Sequence, residues 1–183
     1  PQGWEPLLYV CHTCVHKGHP ARLEGLISIA RRLCSLGGNP NAEYHWNWHP
    51  ELPRTALWAA VCAVGHVPLA EVLLEAGANP TDGVTAQIAG GGGNLDALDL
   101  LNRYGLNVDG IPGGVPPLVY MMLWSDTPAG PGWLLEHGAD PNLGWGDAGE
   151  APLHVAARRW DVPMVERLVE HGADVSRPRA DGA

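Results

Sequence analysis

Five variants of one phrase constrain this chain more than any single residue: Gly37-Gly38-Asn39-Pro40-Asn41, Gly77-Ala78-Asn79-Pro80-Thr81, Gly105-Leu106-Asn107-Val108-Asp109, Gly138-Ala139-Asp140-Pro141-Asn142 and Gly172-Ala173-Asp174-Val175-Ser176. Their leading glycines stand 40, 28, 33 and 34 residues apart. Recurrence at such a period means small units that bury their apolar faces only by stacking on neighbours. Apolar residues at helical offsets precede the glycines, as in Leu23, Leu26, Ile27, Ala30, Leu33 and Cys34, or Leu69, Val72, Leu73 and Ala76. Offsets of three, four and seven put them on one helix face. The glycine then suits the left-handed residue after a helix end, and the following Pro and Asn or Asp keep the helix from resuming.

A shorter helical segment precedes each longer one. The clearest is Ala151-Pro152-Leu153-His154-Val155-Ala156-Ala157, with proline in the first turn, where its missing N–H costs nothing. Weaker versions are Thr55-Ala56-Leu57-Trp58-Ala59-Ala60, Pro116-Pro117-Leu118-Val119-Tyr120-Met121, Glu5-Pro6-Leu7-Leu8-Tyr9-Val10 and Val84-Thr85-Ala86-Gln87-Ile88-Ala89. The Ala151 to Ala157 segment closely resembles the Thr-Pro-Leu-His-x-Ala signature of ankyrin repeats, and the chain is similar to that family over almost all of residues 4 to 176. The resemblance implies an all-α solenoid of helix-turn-helix units with projecting hairpin loops. It implies a single domain over 1–183, with repeats at about 4–41, 51–81, 82–109, 110–142 and 147–176. The opening Trp4 to His12 also resembles a bacterial subset of ankyrin proteins.

Apolar residues make up 45% of the 183, enough for a continuous core. No apolar run is long enough for a membrane span, and no signal-peptide pattern opens the chain. Four cysteines without a secretory signal point to a reducing, cytoplasmic compartment. The net charge of -9 argues against nucleic acid, since it repels phosphates. Arg179 to Ala183 reads as the opening turn of a further repeat.

Three departures from regularity locate the candidate sites. The connection from Ala42 to Arg54 is far longer than an ordinary hairpin of this family and reads as a finger. Along it, His45, Asn47 and His49 alternate with Tyr44, Trp46 and Trp48, giving a titratable side and an aromatic side. The aromatic side suits either packing back onto the repeats or anchoring a partner. Gly90 to Gly93 weakens the third unit and limits its short helix to about Gly91, and Pro128-Ala129-Gly130-Pro131-Gly132 delays the next long helix to about Pro131. These two central units read as locally soft.

Chemical motifs are sparse. Cys11, His12, Cys14, His16 and His19 crowd together, but Cys11 and Cys14 share one helix face while His12 and His16 point about 100° away. Four convergent zinc ligands are missing, so no metal and no cofactor is expected. His137 and His171 precede terminal glycines and suit helix capping, and the resemblance gives His154 a turn-bridging role. There is no nucleophile elbow, phosphate loop or metalloprotease helix.

In this family the exposed ends of the first helices line the binding face. With the finger, that makes the candidate binding residues His12, His16, Tyr44, His45, Trp46, Trp48, His49, Trp58, Tyr120, Trp124, Asp126, Arg158, Arg159 and Trp160. The reading that follows from the resemblance is a module that binds a partner protein. The alternative is a small-molecule site or enzyme pocket between the finger and the helices, using His12, His16, His45, His49, Tyr120 and Asp126.

Overall fold

A computed structural model describes residues 4–13, 21–46, 49–63, 65–125 and 127–179. Among them the helices come in pairs: α1 (Pro6–His12) and α2 (Ala21–Ser35), α3 (Ala56–Trp58) and α4 (Val67–Glu75), α5 (Thr85–Gly91) and α6 (Leu95–Arg103), α7 (Pro117–Trp124) and α8 (Ala129–Glu136), α9 (Pro152–Arg158) and α10 (Val162–Glu170). Between the first two pairs runs an antiparallel hairpin of β1 (Glu43–Trp46) and β2 (His49–Thr55). Its register pairs Tyr44 with Arg54 and Trp46 with His49, with an irregularity between Tyr44 and Trp46. The fold class is an all-α array of helix-turn-helix repeats, as expected.

The chain divides into two compact units. One runs up to Thr85 and takes in Asp99–Gly105; the other comprises Ala86–Leu98 and the chain from Leu106 onward. In the first unit, α1 packs on α2 and α3, and α2 on α4, around fully buried Leu7, Leu8, Leu57, Leu69 and Leu73. In the second, α7 packs on α8 and α9, and α9 on α10, around Val119, Met121, Leu134 and Leu168.

Each repeated phrase does the same local work. Gly37, Gly77, Gly105, Gly138 and Gly172 have φ of 90, 94, 88, 87 and 93°, the left-handed region in which a β-carbon is strained. Two residues on, an Asn or Asp side chain accepts from the backbone N–H two further along, in Asn39/Asn41, Asn79/Thr81, Asn107/Asp109, Asp140/Asn142 and Asp174/Ser176.

The last residue of the phrase ties turns together. Asn41 donates to Gly77 O at 3.0 Å and accepts from Asn79 N at 2.7 Å. Asn142 repeats both bonds on Gly172 O and Asp174 N, at 3.0 and 2.8 Å. An amide carries both a donor and an acceptor and so can bridge a carbonyl and an N–H of the next turn. The carboxylate of Asp109 makes the acceptor half of the same link, to Asp140 N at 2.9 Å. Sequence reasoning read this Asn only as a turn former.

Three expectations need adjusting. The first helix of the second pair, expected from Thr55 to Ala60, is α-helical for three residues and then a π-helix over Ala59–Ala63, a rare form whose bonds run to the fifth residue. The helix expected from Pro131 begins at Ala129, because Pro131 occupies the first turn, where no N–H is needed. Gly90 and Gly130, within the stretches read as soft, are packing glycines. A β-carbon on Gly130 would lie 2.3 Å from Gly90 O, and one on Gly90 would lie 2.2 Å from Met121 Cε, so α5 and α8 can meet around Met121 only without side chains there. The expected end of α5 at Gly91 is where it ends.

Candidate functional site

Two aromatic groups, one in each unit, gather the described candidate residues that contact one another. In the first unit the Tyr44 ring at the base of the hairpin lies 4.5 Å from Trp4 and 4.8 Å from His12 between ring centroids. Trp4 also meets Tyr9 and His12, and His12 meets Trp58 at 6.0 Å. The Arg54 guanidinium sits 4.5 Å over the Trp58 ring, a cation–π contact that draws β2 onto α3. Burial pushes the His12 imidazole down to about 4, because a neutral ring is cheaper than a cation there. Thr55, at the end of β2, caps α3 by accepting from Trp58 N and donates to Asp82, which also holds the start of α5.

His12, Tyr44 and Trp58 thus come together as a packed cluster around Trp4, which sequence reasoning did not single out. His45 is exposed, 3.6 Å from Glu43. Trp46 and His49 pair across the hairpin, while their side chains lie outside the described set. His16, Trp48 and Asp126 lie outside the described residues. So do Cys14 and His19 of the crowded Cys/His segment. The Cys11 thiol is buried and pushed up to about 12 by that burial, the behaviour of a core residue rather than a thiolate ligand.

The second group is open to solvent. Trp124, the last residue of α7, is 57% exposed, with Tyr120 4.8 Å away on the same helix and Trp145 6.1 Å away at an interplanar angle of 71°. Trp145 is 39% exposed and pairs with Glu150 in an antiparallel bridge. The Glu150 carboxylate meets Arg158 at 2.6 Å. The neighbouring Arg159 donates to Met122 O and, at 3.5 Å, to Leu123 O, capping the C-terminal end of α7. A chain of contacts therefore joins Tyr120, Trp124, Trp145, Glu150, Arg158 and Arg159. Trp160 follows directly. Beside them a cavity of about 260 Å³ is walled by Met121, Met122, Pro128, Pro131 and Met164, with Arg159 and Asp161 at its edge.

The backbone at Trp160 is unusual. It is the one non-glycine residue with positive φ among the described residues, at 56°, and its side chain is 89% exposed. The following Asp161 caps α10 by accepting from Met164 N at 3.1 Å. The same arrangement occurs at Gly65-His66, where φ is 72° and His66 accepts from Leu69 N, and at Gly93-Asn94, where φ is 75° and Asn94 accepts from Ala97 N. Two of these three equivalent turns use glycine. The third holds a tryptophan, at a cost of about 1–2 kcal/mol.

The remaining histidines serve the fold. His137 and His171 set Nδ1 2.8 Å from the carbonyls of Trp133 and Arg167, at the ends of α8 and α10. His154 Nδ1 accepts from Ala151 N, and Nε2 lies 2.9 Å from Arg177 O, so one ring joins two turns.

A family model for the ankyrin repeat matches residues 54–83 and 148–179. With the helix pairs, left-handed glycines and bridging His154 in place, that match decides the family. This is an ankyrin-repeat protein. No curated protein matches the chain significantly. Ankyrin repeats are generally protein–protein interaction modules. The second matched segment contains Glu150, Arg158, Arg159 and Trp160, so the irregular Trp160 turn sits inside an otherwise regular ankyrin repeat. Among the described residues, no helix is long and apolar enough to cross a membrane, and no group of three or more metal-ligating side chains occurs.

Trp145 and Glu150 were missed at the sequence level because they lie in a connecting turn, outside every helical period. The signal for Trp160 was present: aligned with Gly65 and Gly93, it is a bulky residue in a glycine position.

Proposed function

We propose that this ankyrin-repeat protein binds a partner protein through the surface formed by Trp124, Trp145, Arg158, Arg159 and Trp160. The observation that carries this reading is Trp160, left-handed at φ 56° and 89% exposed in a turn where Gly65 and Gly93 adopt the same conformation without strain. A side chain that costs backbone energy and gains nothing by burial is explained by a contact outside the chain. Tryptophan and arginine are also the residue types that dominate binding energy at protein interfaces. The adjacent cavity, walled by methionines and prolines, suits one apolar anchor side chain of the partner.

In this reading the chain is one domain of five repeats, at about 4–41, 51–81, 82–109, 110–142 and 147–176, and works in the cytoplasm. His12, Tyr44 and Trp58 hold the hairpin in place instead of meeting the partner, since their rings are spent on one another. No nucleic acid or membrane partner is invoked, in keeping with a net charge of -9.

The test is affinity purification from host lysate, with the whole chain and its Trp124→Ala/Trp160→Ala variant as paired baits of equal helical content by circular dichroism. Proteins retained by the natural chain and lost with the variant are expected. An identical set of retained proteins would refute the assignment.

A further inference from the structure

The first and last helix pairs each expose a face that the other pairs bury. Counting back from the phrase glycine aligns the second helices of the pairs. The apolar residues three places before it, Leu74 and Leu135, are 4 and 2% exposed, whereas Val169 holds that position in α10 at 43%. Eight places before it, Leu69, Ala97 and Met164 are 0, 0 and 4% exposed, whereas Ile29 holds that position in α2 at 50%. The first helices agree: Leu7, Leu57 and Leu118 are buried and Leu153 of α9 is only half-buried. Leu153, Ala157, Val165 and Val175 wall a cavity of about 310 Å³ on this face. A repeat face that meets only water is normally polar.

The same count places the charges. Across the step from α4 to α6, Glu71 meets Arg103 at 3.6 Å. Across the step from α8 to α10, Glu136 meets Arg167, whose guanidinium lies over Gly132, where a β-carbon would stand 2.4 Å from it. Glu71 and Gly132 stand six places before their glycines, Glu136 two and Arg167 five. In α10 both acid positions are filled, by Glu166 and Glu170, and both are exposed. In α2 the arginine position is filled by exposed Arg32. Like charges four residues apart on a helix repel, and a cation between them removes that cost.

Other charges nearby do not cancel the match. Beside the acidic pair, Arg167 is turned to Glu136 and Arg177 to Asn142 O, while exposed Asp174 adds to the acidic side. Beside Arg32, Arg31 is turned to Glu75 at 3.8 Å, and Glu24 is eight residues away, about 12 Å along the helix.

We propose that a second copy of this chain occupies these faces, its α2 continuing the stack on α10. Arg32 of one copy then lies between Glu166 and Glu170 of the other, as Arg167 lies over Gly132 and Glu136. Ile29 meets Val165, as Met164 and Pro131 meet in one cavity wall. The two faces differ, so the contact is head-to-tail and continues from copy to copy instead of closing at two. It is separate from the Trp160 surface and does not depend on it.

The experiment is sedimentation of the whole chain from micromolar to millimolar concentration. The natural chain is expected to grow past a dimer as concentration rises, and to assemble less as salt is raised. Arg32→Glu blocks one face and Val169→Asp the other, both at exposed positions, and each should weaken self-association at least tenfold. An equimolar mixture of the two variants retains one intact face of each kind, so it should give a one-to-one dimer and nothing larger. A natural chain that stays monomeric throughout, assembly that closes at two copies, or variants that assemble as the natural chain does would overturn the proposal. The first two outcomes are read on the natural chain, so they stand even if a variant misfolds.

Discussion

The two aromatic groups are built from the same residue types and behave in opposite ways. Around Trp4 and Tyr44 the rings lie 4.5 to 6.0 Å apart in one contact set, and His12 within it is kept neutral by burial. Around Trp124 the rings lie at comparable distances, yet their outer faces are open, and Trp160 stands clear of the fold at 89% exposure. Ring-to-ring distance therefore does not separate packing from recognition. What separates them is whether the other face of the ring is covered, and whether the backbone bears a cost to hold it outward.

The largest expected effect is on binding. Trp124→Ala combined with Trp160→Ala should weaken partner affinity a hundredfold or more, about 3 kcal/mol, at nearly unchanged stability, as measured by titration and denaturant unfolding. Loss of stability without loss of affinity would reverse the roles of the two groups. Next, Tyr44→Ala should lower the unfolding free energy by about 2 kcal/mol, because it removes a half-buried ring from Trp4 and His12, and should leave affinity within twofold. A hairpin that anchors the partner would show the opposite.

A smaller effect distinguishes the groups by pH. The folded chain holds His12 near 4, below its ordinary 6.5, so between those values the unfolded chain binds the extra proton. Stability should be full above pH 6.5, fall as pH drops toward 4, and level off below. His12→Phe should flatten that part of the profile measured by urea unfolding. An unchanged slope would show that the His12 environment is more open than its rings suggest.

Much of the fold was legible because it depends on local backbone chemistry. Each phrase glycine takes the left-handed conformation its position requires, and His137, His154 and His171 do capping and bridging work readable from their place in the repeat. What escaped was set by contact between segments distant in sequence. Asn41 and Asn142 look like turn formers until the next turn is present to receive their amides. Gly90 and Gly130 look like weak points until Met121 fills the space between them. At the candidate site, the sequence brought Trp124, Arg158, Arg159 and Trp160 forward as helix-end residues. It could not show that Arg159 is engaged with the carbonyls of α7, or that Trp145 and Glu150 complete the surface from a connecting turn. The finger drew attention through its length and its tryptophans, and its Tyr44 turns inward.

The most direct measurement replaces the strained residue itself. Trp160→Gly relieves about 1–2 kcal/mol of left-handed strain and returns about 0.5–1 kcal/mol through the freer unfolded chain, a net gain of about 0.5–1 kcal/mol. Unfolding free energy and affinity for the partner recovered from lysate should be measured on this one variant. Affinity lower by tenfold or more with stability unchanged or raised is the expected result; undiminished affinity, or stability that falls along with it, would contradict a recognition role for Trp160.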